Sequence, residues 1–218
     1  MVRFSTDVDL LKWELVLFRE LFLPSQTLCF GQDGVTSGTI FTSSSASFTD
    51  AGVAAGHVIY LNDGDSIDSC YEVVSKDTAM QLTLSIVRQR IDDAAVAPPE
   101  GSSISYRIST FDPQTEEVAY SLLQYFGIKT TDEDADITAT DILNVRALRQ
   151  ASVFAVLSAV FASSACGQGD PAGYWQKSLG YQKMFHTARA RARLEIDIDN
   201  DSIAEQLRTG GTVRLRRL

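Results

Sequence analysis

Ala151-Ser-Val-Phe-Ala-Val-Leu-Ser-Ala-Val-Phe-Ala162 is apolar nearly all round when wound as a helix. A helix of that kind in water has to be buried on most sides. The stretch lies inside a predicted helix running from Asp141 to about Ser164. It is followed by the hinge Cys166-Gly-Gln-Gly-Asp-Pro-Ala-Gly173 and by a second predicted helix, Tyr174 to about Leu194. The second helix has an aromatic and apolar start and an arginine-laden end. Such a pair forms a rigid post with partners on both flanks.

Upstream of the post, Thr130-Thr-Asp-Glu-Asp-Ala-Asp-Ile137 reads as a solvated acidic linker. Before it, Gln114 to Phe126 is a predicted helix with Val118, Leu122, Tyr125 and Phe126 on one face, and Gly127 is placed to cap its end. From about Leu28 to Ile108 the helical period gives way to short alternating runs rich in serine, threonine and glycine. Strands are predicted at Thr39-Thr42, His57-Leu61, Cys70-Ser75, Gln81-Val87 and Ser103-Ile108. Turn signals at Asp33-Gly34, Asn62-Asp63-Gly64-Asp65, Lys76-Asp77 and Pro98-Pro99-Glu100-Gly101 separate them. The segment Phe48 to Gly56 should form a tight turn or single helical turn, and the loop Arg88 to Gly101 a protrusion.

The N-terminus predicts a further helix, Asp7 to Phe22, opened by a Thr6/Asp9 capping box and ended by Pro24. It has two apolar stripes, so it should be sandwiched between neighbours. The tail from Asp197 reads as a loop ending in a strand, Thr212 to Leu218. The expected fold class is α+β: an α-helical bundle base of about four helices with an inserted small antiparallel β-barrel or sandwich. The expected segments are residues 1–27, an N-terminal helix of the base; 28–110, the inserted β-domain; 111–196, the helical bundle; and 197–218, a C-terminal arm.

A chain of 218 residues with 44% hydrophobic and 22% charged residues can bury a real core. Its net charge of -9 argues against a general nucleic-acid binder, yet suits a surface past which DNA slides without sticking. Cys29, Cys70 and Cys166 form no CxxC pair and read as reduced, mostly buried thiols. The first residues lack a signal-peptide layout, and Val153 to Ala162 is too short for a membrane span of about 20 residues. A soluble protein made in the cytoplasm, with no membrane partner, is expected.

Asp197, Asp199 and Asp201 resemble the first half of a calcium loop. Ser202 then stands where glycine is wanted and Arg208 where a bidentate glutamate is required, so no metal is expected. His57 and His186 lie near no nucleophile motif, and no glycine run continues into a phosphate-binding lysine. No catalytic residue and no cofactor follow from these patterns, and the chain is expected not to be an enzyme.

The basic segment is richer. Arg189, Arg191 and Arg193 fall near the end of the second helix, where the dipole favours cations. Arg214, Arg216 and Arg217 crowd the C-terminus. They fit docking on an acidic partner or phosphate, solvated charge balancing the acids around Asp132 to Asp141, or a strand that augments a neighbour's sheet. Tyr174, Trp175, Tyr181 and Phe185 read as core packing or as a subunit interface. The candidate interface residues are therefore Trp13, Tyr174, Trp175, Tyr181, Arg189, Arg193, Arg214, Arg216 and Arg217.

The order of these parts resembles head–tail connector (adaptor, head-completion or neck) proteins of tailed bacteriophages. The resemblance is carried by Asn144 to Arg193, by the "Asp-Xaa-Asp-Xaa-Asp" turn in Leu194 to Asp201, and by the Gly-Gly tail, Gly210 to Leu218. Phe48-Thr-Asp-Ala-Gly-Val53, Gly56-His-Val-Ile59, Tyr71-Glu-Val-Val74 and Gln81-Leu-Thr-Leu-Ser85 also look like small β-domains of phage structural proteins. The inserted β-domain departs from the compact all-helical adaptors. The resemblance implies a virion protein assembled in the host bacterial cytoplasm, forming a homo-oligomeric ring of about twelve subunits. That ring would dock beneath the portal protein, extend the channel through which double-stranded DNA passes, and present a platform to a tail-proximal neck or tail-terminator protein. A tail terminator or capsid decoration module, with the β-domain as the working part, is the competing expectation.

Overall fold

The computed structural model describes residues 2–128, 137–166 and 170–210. The chain divides into two compact units: Thr6–Phe111, and residues up to Ser5 together with those from Asp112 on.

The first unit is a closed antiparallel barrel. Its strands are β1 (Thr27–Ser37), β2 (Ile40–Thr42), β3 (Val58–Asn62), β4 (Asp68–Lys76), β5 (Gln81–Ser85) and β6 (Gly101–Ser109). Their order around the wall is β1-β2-β5-β4-β3-β6, and β1 closes it by pairing with both β2 and β6. Period-two alternation sends Ile59 and Leu61, Tyr71 and Val73, Leu82 and Leu84, and Ile104, Tyr106 and Ile108 into one buried cluster. The β2–β3 connection supplies a plug, with Phe48 and Val53 fully buried in the same cluster. That connection holds one helical turn, Ala51 N–H donating to the Ser47 carbonyl, in line with the expected turn.

The barrel strand missing from the sequence reading is β1. Asp33-Gly34 looked like a turn, but β1 runs through it with register irregularities, and its glycines let rings lie on the backbone. A Cβ on Gly31 would stand 2.6 Å from Tyr106, and one on Gly34 2.7 Å from Phe41.

The N-terminal helix is also corrected. The segment forms two short pieces, α1 (Asp7–Leu11) and α2 (Val16–Arg19), and it belongs to the barrel unit. The capping box is present: Thr6 N–H donates to Asp9 Oδ2 at 3.1 Å, and Asp9 N–H to Thr6 Oγ1 at 3.4 Å. Leu10, Leu11, Leu17 and Phe18 are buried, whereas Trp13 and Leu15, one from each apolar stripe, are exposed. Arg107 of β6 ends α2. Its Nη2 donates to the carbonyls of Phe18 and Arg19 at 2.8 and 3.0 Å, and its guanidinium stacks 3.4 Å over the Phe22 ring. Carbonyls taken by a guanidinium do not continue a helical ladder toward Phe22. Phe18 meets Phe111 edge to face at 5.2 Å.

The loop after β5 is anchored by a buried ion pair. Arg88 Nη2 and Nε donate to Glu72 Oε1 and Oε2 at 2.7 and 3.3 Å, and Arg88 Nη1 donates to the carbonyls of Ile91 and Asp93. Both side chains are more than nine-tenths buried.

The second unit holds the substantial helices, α3 (Asp112–Tyr125), α4 (Arg149–Ser164) and α5 (Pro171–Arg191), and a hairpin of β7 (Arg193–Ile196) with β8 (Gln206–Thr209). An α-helical bundle base of four helices with an inserted barrel is thus overturned. The barrel is one compact unit with its own helical cover, and among the described residues three longer helices belong to the other unit. Residues 141–148, read as the start of the helix, lie outside α4: Asp141 ends a 3-10 turn (Ala139–Asp141), Ile142 bridges to Ile196, Leu143 N–H donates to the Glu195 carbonyl and Asp197 N–H to the Asp141 carbonyl, and Val145–Leu148 is a second 3-10 turn. Likewise Arg193 and Leu194 leave the helix for β7, where Leu194 and Ile196 point inward and Arg193 and Glu195 outward. Leu194 and Ile196 pack with Leu122, Leu123 and Phe126 of the α3 segment and with Leu148. Gly127, at φ +69°, closes α3, and Arg208 of β8 donates to the Phe126 and Gly127 carbonyls at 2.9 and 2.7 Å.

By length and composition Val145–Ser164 is apolar enough to cross a membrane, and half of that window is buried inside the protein.

Candidate interaction surface

The α4–α5 pair is built from small and aromatic side chains. Ser158 Oγ donates to the Ser178 carbonyl at 3.1 Å, and Ser178 Oγ to the Ser158 carbonyl at 2.9 Å, which needs close backbones. On either side of that contact Phe161 stacks with Tyr181 at 5.9 Å and meets Tyr174 at 6.0 Å, while Phe154 stacks on Tyr181 at 6.1 Å. The local start of α5 is fixed by Asp170, whose Oδ1 accepts from Gly173 N–H at 3.0 Å, and by Pro171 in the first turn. A Cβ on Gly173 would crowd that carboxylate, which would have to swing away and give up its cap.

With its inner face so used, α5 leaves its outer face bare. Ser178 is the single buried residue among its 21. Trp175 is 50% exposed, and Leu179 and Met184 are exposed as well. Toward its C-terminal end, α5 borders an open groove of about 640 Å³, lined by Ala147, Gln150 and Phe154 on one side and by Lys183, Met184, Ala188, Arg191 and Arg193 on the other.

The candidate residues therefore separate. Tyr174 and Tyr181 turn inward onto Phe161, whereas Trp175 faces out. Arg189 lies 3.9 Å over the Tyr125 ring and braces α5 on α3. Arg193 lines the groove, but from a strand. Trp13 sits exposed between α1 and α2 of the other unit. Arg214, Arg216 and Arg217, with the expected strand Thr212 to Leu218, lie outside the described residues, as does most of the acidic linker.

The sequence reading missed Lys183 in the groove and the apolar side chains of the β7–β8 turn. Ile198 and Ile203 of the turn, and Leu207 next to it in β8, are all exposed. Their signal was visible as isolated aliphatics in an otherwise acidic loop. The turn itself is organised by Asp197, a buried carboxylate that accepts from the amides of Asn200, Asp201 and Ser202 at 2.7, 3.2 and 2.8 Å. Asp197, Asp199, Asp201 and Glu205 bring carboxylate oxygens within 4.8 Å of one another. Three of these four are engaged with backbone amides of the turn: Asp197 as above, Asp201 with Ile203 N–H and Glu205 with Ile198 N–H.

In the barrel unit, Asp33 accepts from Ser43, Ser44 and Ser45, which holds its carboxyl well below the usual range. Asp63 accepts from the amides of Asp65, Ser66 and Ile67 and is held down to about 2. These are turn-building carboxylates. His57 Nδ1 accepts from Ala54 N–H at 3.2 Å and ties the entry to β3. Burial pushes the Cys29 thiol up to about 11 and that of Cys70 to about 12, whereas Cys166 is exposed.

Comparison with protein-family models, with curated proteins and with solved structures finds no match to this chain.

Proposed function

We propose that the protein is a structural component of the neck of a tailed-phage particle, a head–tail adaptor that acts by assembly. In this reading it forms a ring of about twelve subunits, docks on the portal protein, extends the DNA channel and offers the tail a platform. The observation that supports it best is α5, a helix of 21 residues with one buried residue and with Trp175, Leu179 and Met184 exposed. Aromatic and methionine side chains are what subunit interfaces are enriched in. The net charge of -9 suits a wall past which DNA slides.

Co-sedimentation with the portal ring encoded in the same genome tests this. Binding that Trp175→Ser weakens supports the proposal; a chain that never sediments with the portal contradicts it.

One observation favours a second reading, a tail-terminator or decoration module. The barrel is closed and self-contained, and Phe30 on β1 is 78% exposed. Phe30→Ser separates the two, because it should abolish particle binding by a barrel-led module and leave an α5-led adaptor bound.

A further inference from the structure

The helical unit carries two surfaces of opposite character. The groove beside α5 has Lys183, Arg191 and Arg193 on its walls and Phe154, Met184 and Ala188 as its apolar part. Among the described residues no carboxylate forms an ion pair with any of those three cations. The turn between β7 and β8 is the reverse, a small knob in which exposed Asp199 and Asp201 are flanked by exposed Ile198 and Ile203, the latter at 65%. The knob is preformed. The buried Asp197 carboxylate takes three of its amides, and Asn200 and Ser202 are held at φ 62° and 70°. A preformed knob loses little conformational freedom when it is seated.

One chain does not seat its own knob. Arg193 opens β7 and Asp197 follows its last residue, so the two surfaces stand at opposite ends of a strand spanning roughly 13 Å. That strand is held on both edges, by β8 and by residues 141–144.

We propose that the groove receives the 197–205 turn of a second copy of this chain, with Ile198 and Ile203 against the apolar part and Asp199 and Asp201 against Lys183, Arg191 and Arg193. The occupant is chosen by complementarity of charge and of apolar surface, both present on the same molecule. The contact joins unlike surfaces, so each copy still offers a free groove and a free knob, and repetition gives a ring or an open chain. This inference rests on the ring reading above and specifies its contact.

Sedimentation velocity on the full chain tests it, using a groove variant (Lys183→Glu with Arg191→Glu) and a knob variant (Asp199→Lys with Ile203→Lys). The wild type should associate. Each variant alone should dissociate at least about tenfold more readily, since like charges then face each other. An equimolar mixture should associate again, because each variant complements the other. A wild type that stays monomeric, a variant that associates like the wild type, or a mixture of folded variants that fails to recover would each overturn the proposal. A second measurement does not rely on charge reversal: Met184→Cys with Ile203→Cys, in a Cys166→Ser background, should give a ladder of intermolecular disulfides under mild oxidation. A chain that runs only as monomer on a denaturing gel contradicts it. Rings made through other surfaces would leave both variants associated and the neck reading standing. Head-to-tail association without portal binding would keep this contact and remove that reading.

Discussion

Ser158 of α4 and Ser178 of α5 each donate a hydroxyl to the other's carbonyl, at 3.1 and 2.9 Å. Two helices meet there with side chains no larger than serine between them, while aromatic rings fill the space on either side. That closeness fixes which way α5 faces, and so it fixes the exposure of Trp175. Ser178→Leu should push the helices apart at a cost of about 1–3 kcal/mol, and Ser178→Ala should cost about 1 kcal/mol. Urea denaturation of the two variants checks the order; equal stability of the leucine variant and the wild type would contradict the packing described.

The Glu72–Arg88 pair is a test of buried charge. Glu72→Ala or Arg88→Ala leaves one ion unpaired in the wall of the barrel unit and should destabilise by about 3–5 kcal/mol. Replacing both with apolar residues of similar volume should recover much of that loss. Additive losses in the double variant would show that the pair is not coupled.

The fold was readable where pattern and burial coincide, and unreadable where two signals compete. Leu82 and Leu84, or Ile104, Tyr106 and Ile108, alternate cleanly and were found as strands. In β1 the Asp33-Gly34 turn signal was stronger than the strand signal, because the need for glycine comes from Tyr106 and Phe41, which are distant in sequence. The N-terminal segment had helical spacing, but the guanidinium that ends α2 belongs to Arg107, some ninety positions on. At the end of α5, Ala192-Arg-Leu-Glu-Ile196 satisfies a helix or a strand by local propensity, and pairing with Gln206–Thr209 decides for the strand. The inward turn of Tyr174 and Tyr181 and the outward turn of Trp175 were open alternatives, since helical phase alone does not say which stripe meets α4.

The three thiols should differ in reactivity. Cys166 is exposed, whereas burial holds Cys29 and Cys70 protonated, at about 11 and about 12. A thiol reagent at neutral pH should therefore modify one cysteine quickly in the native protein and the other two only after denaturation. Rapid labelling of Cys70 in the folded state would contradict the barrel packing.

Acid sensitivity should trace to the turn carboxylates. Asp63 has its folded value lowered from 3.8 to about 2, so its contribution to stability is complete above about pH 4 and is lost as pH falls through about 2. Asp63→Asn removes that titration. The wild type should lose more stability than the variant between those two pH values, read as the shift of the urea midpoint. Parallel losses in both proteins would assign the acid response elsewhere.

The central claim is that this chain works as one copy among many. Negative-stain electron microscopy of this chain, alone and mixed with the portal ring of the proposed particle, tests it most directly. Closed rings with a central channel, stacked on the portal in the mixture, are the expected result. Isolated single particles in both samples would contradict it.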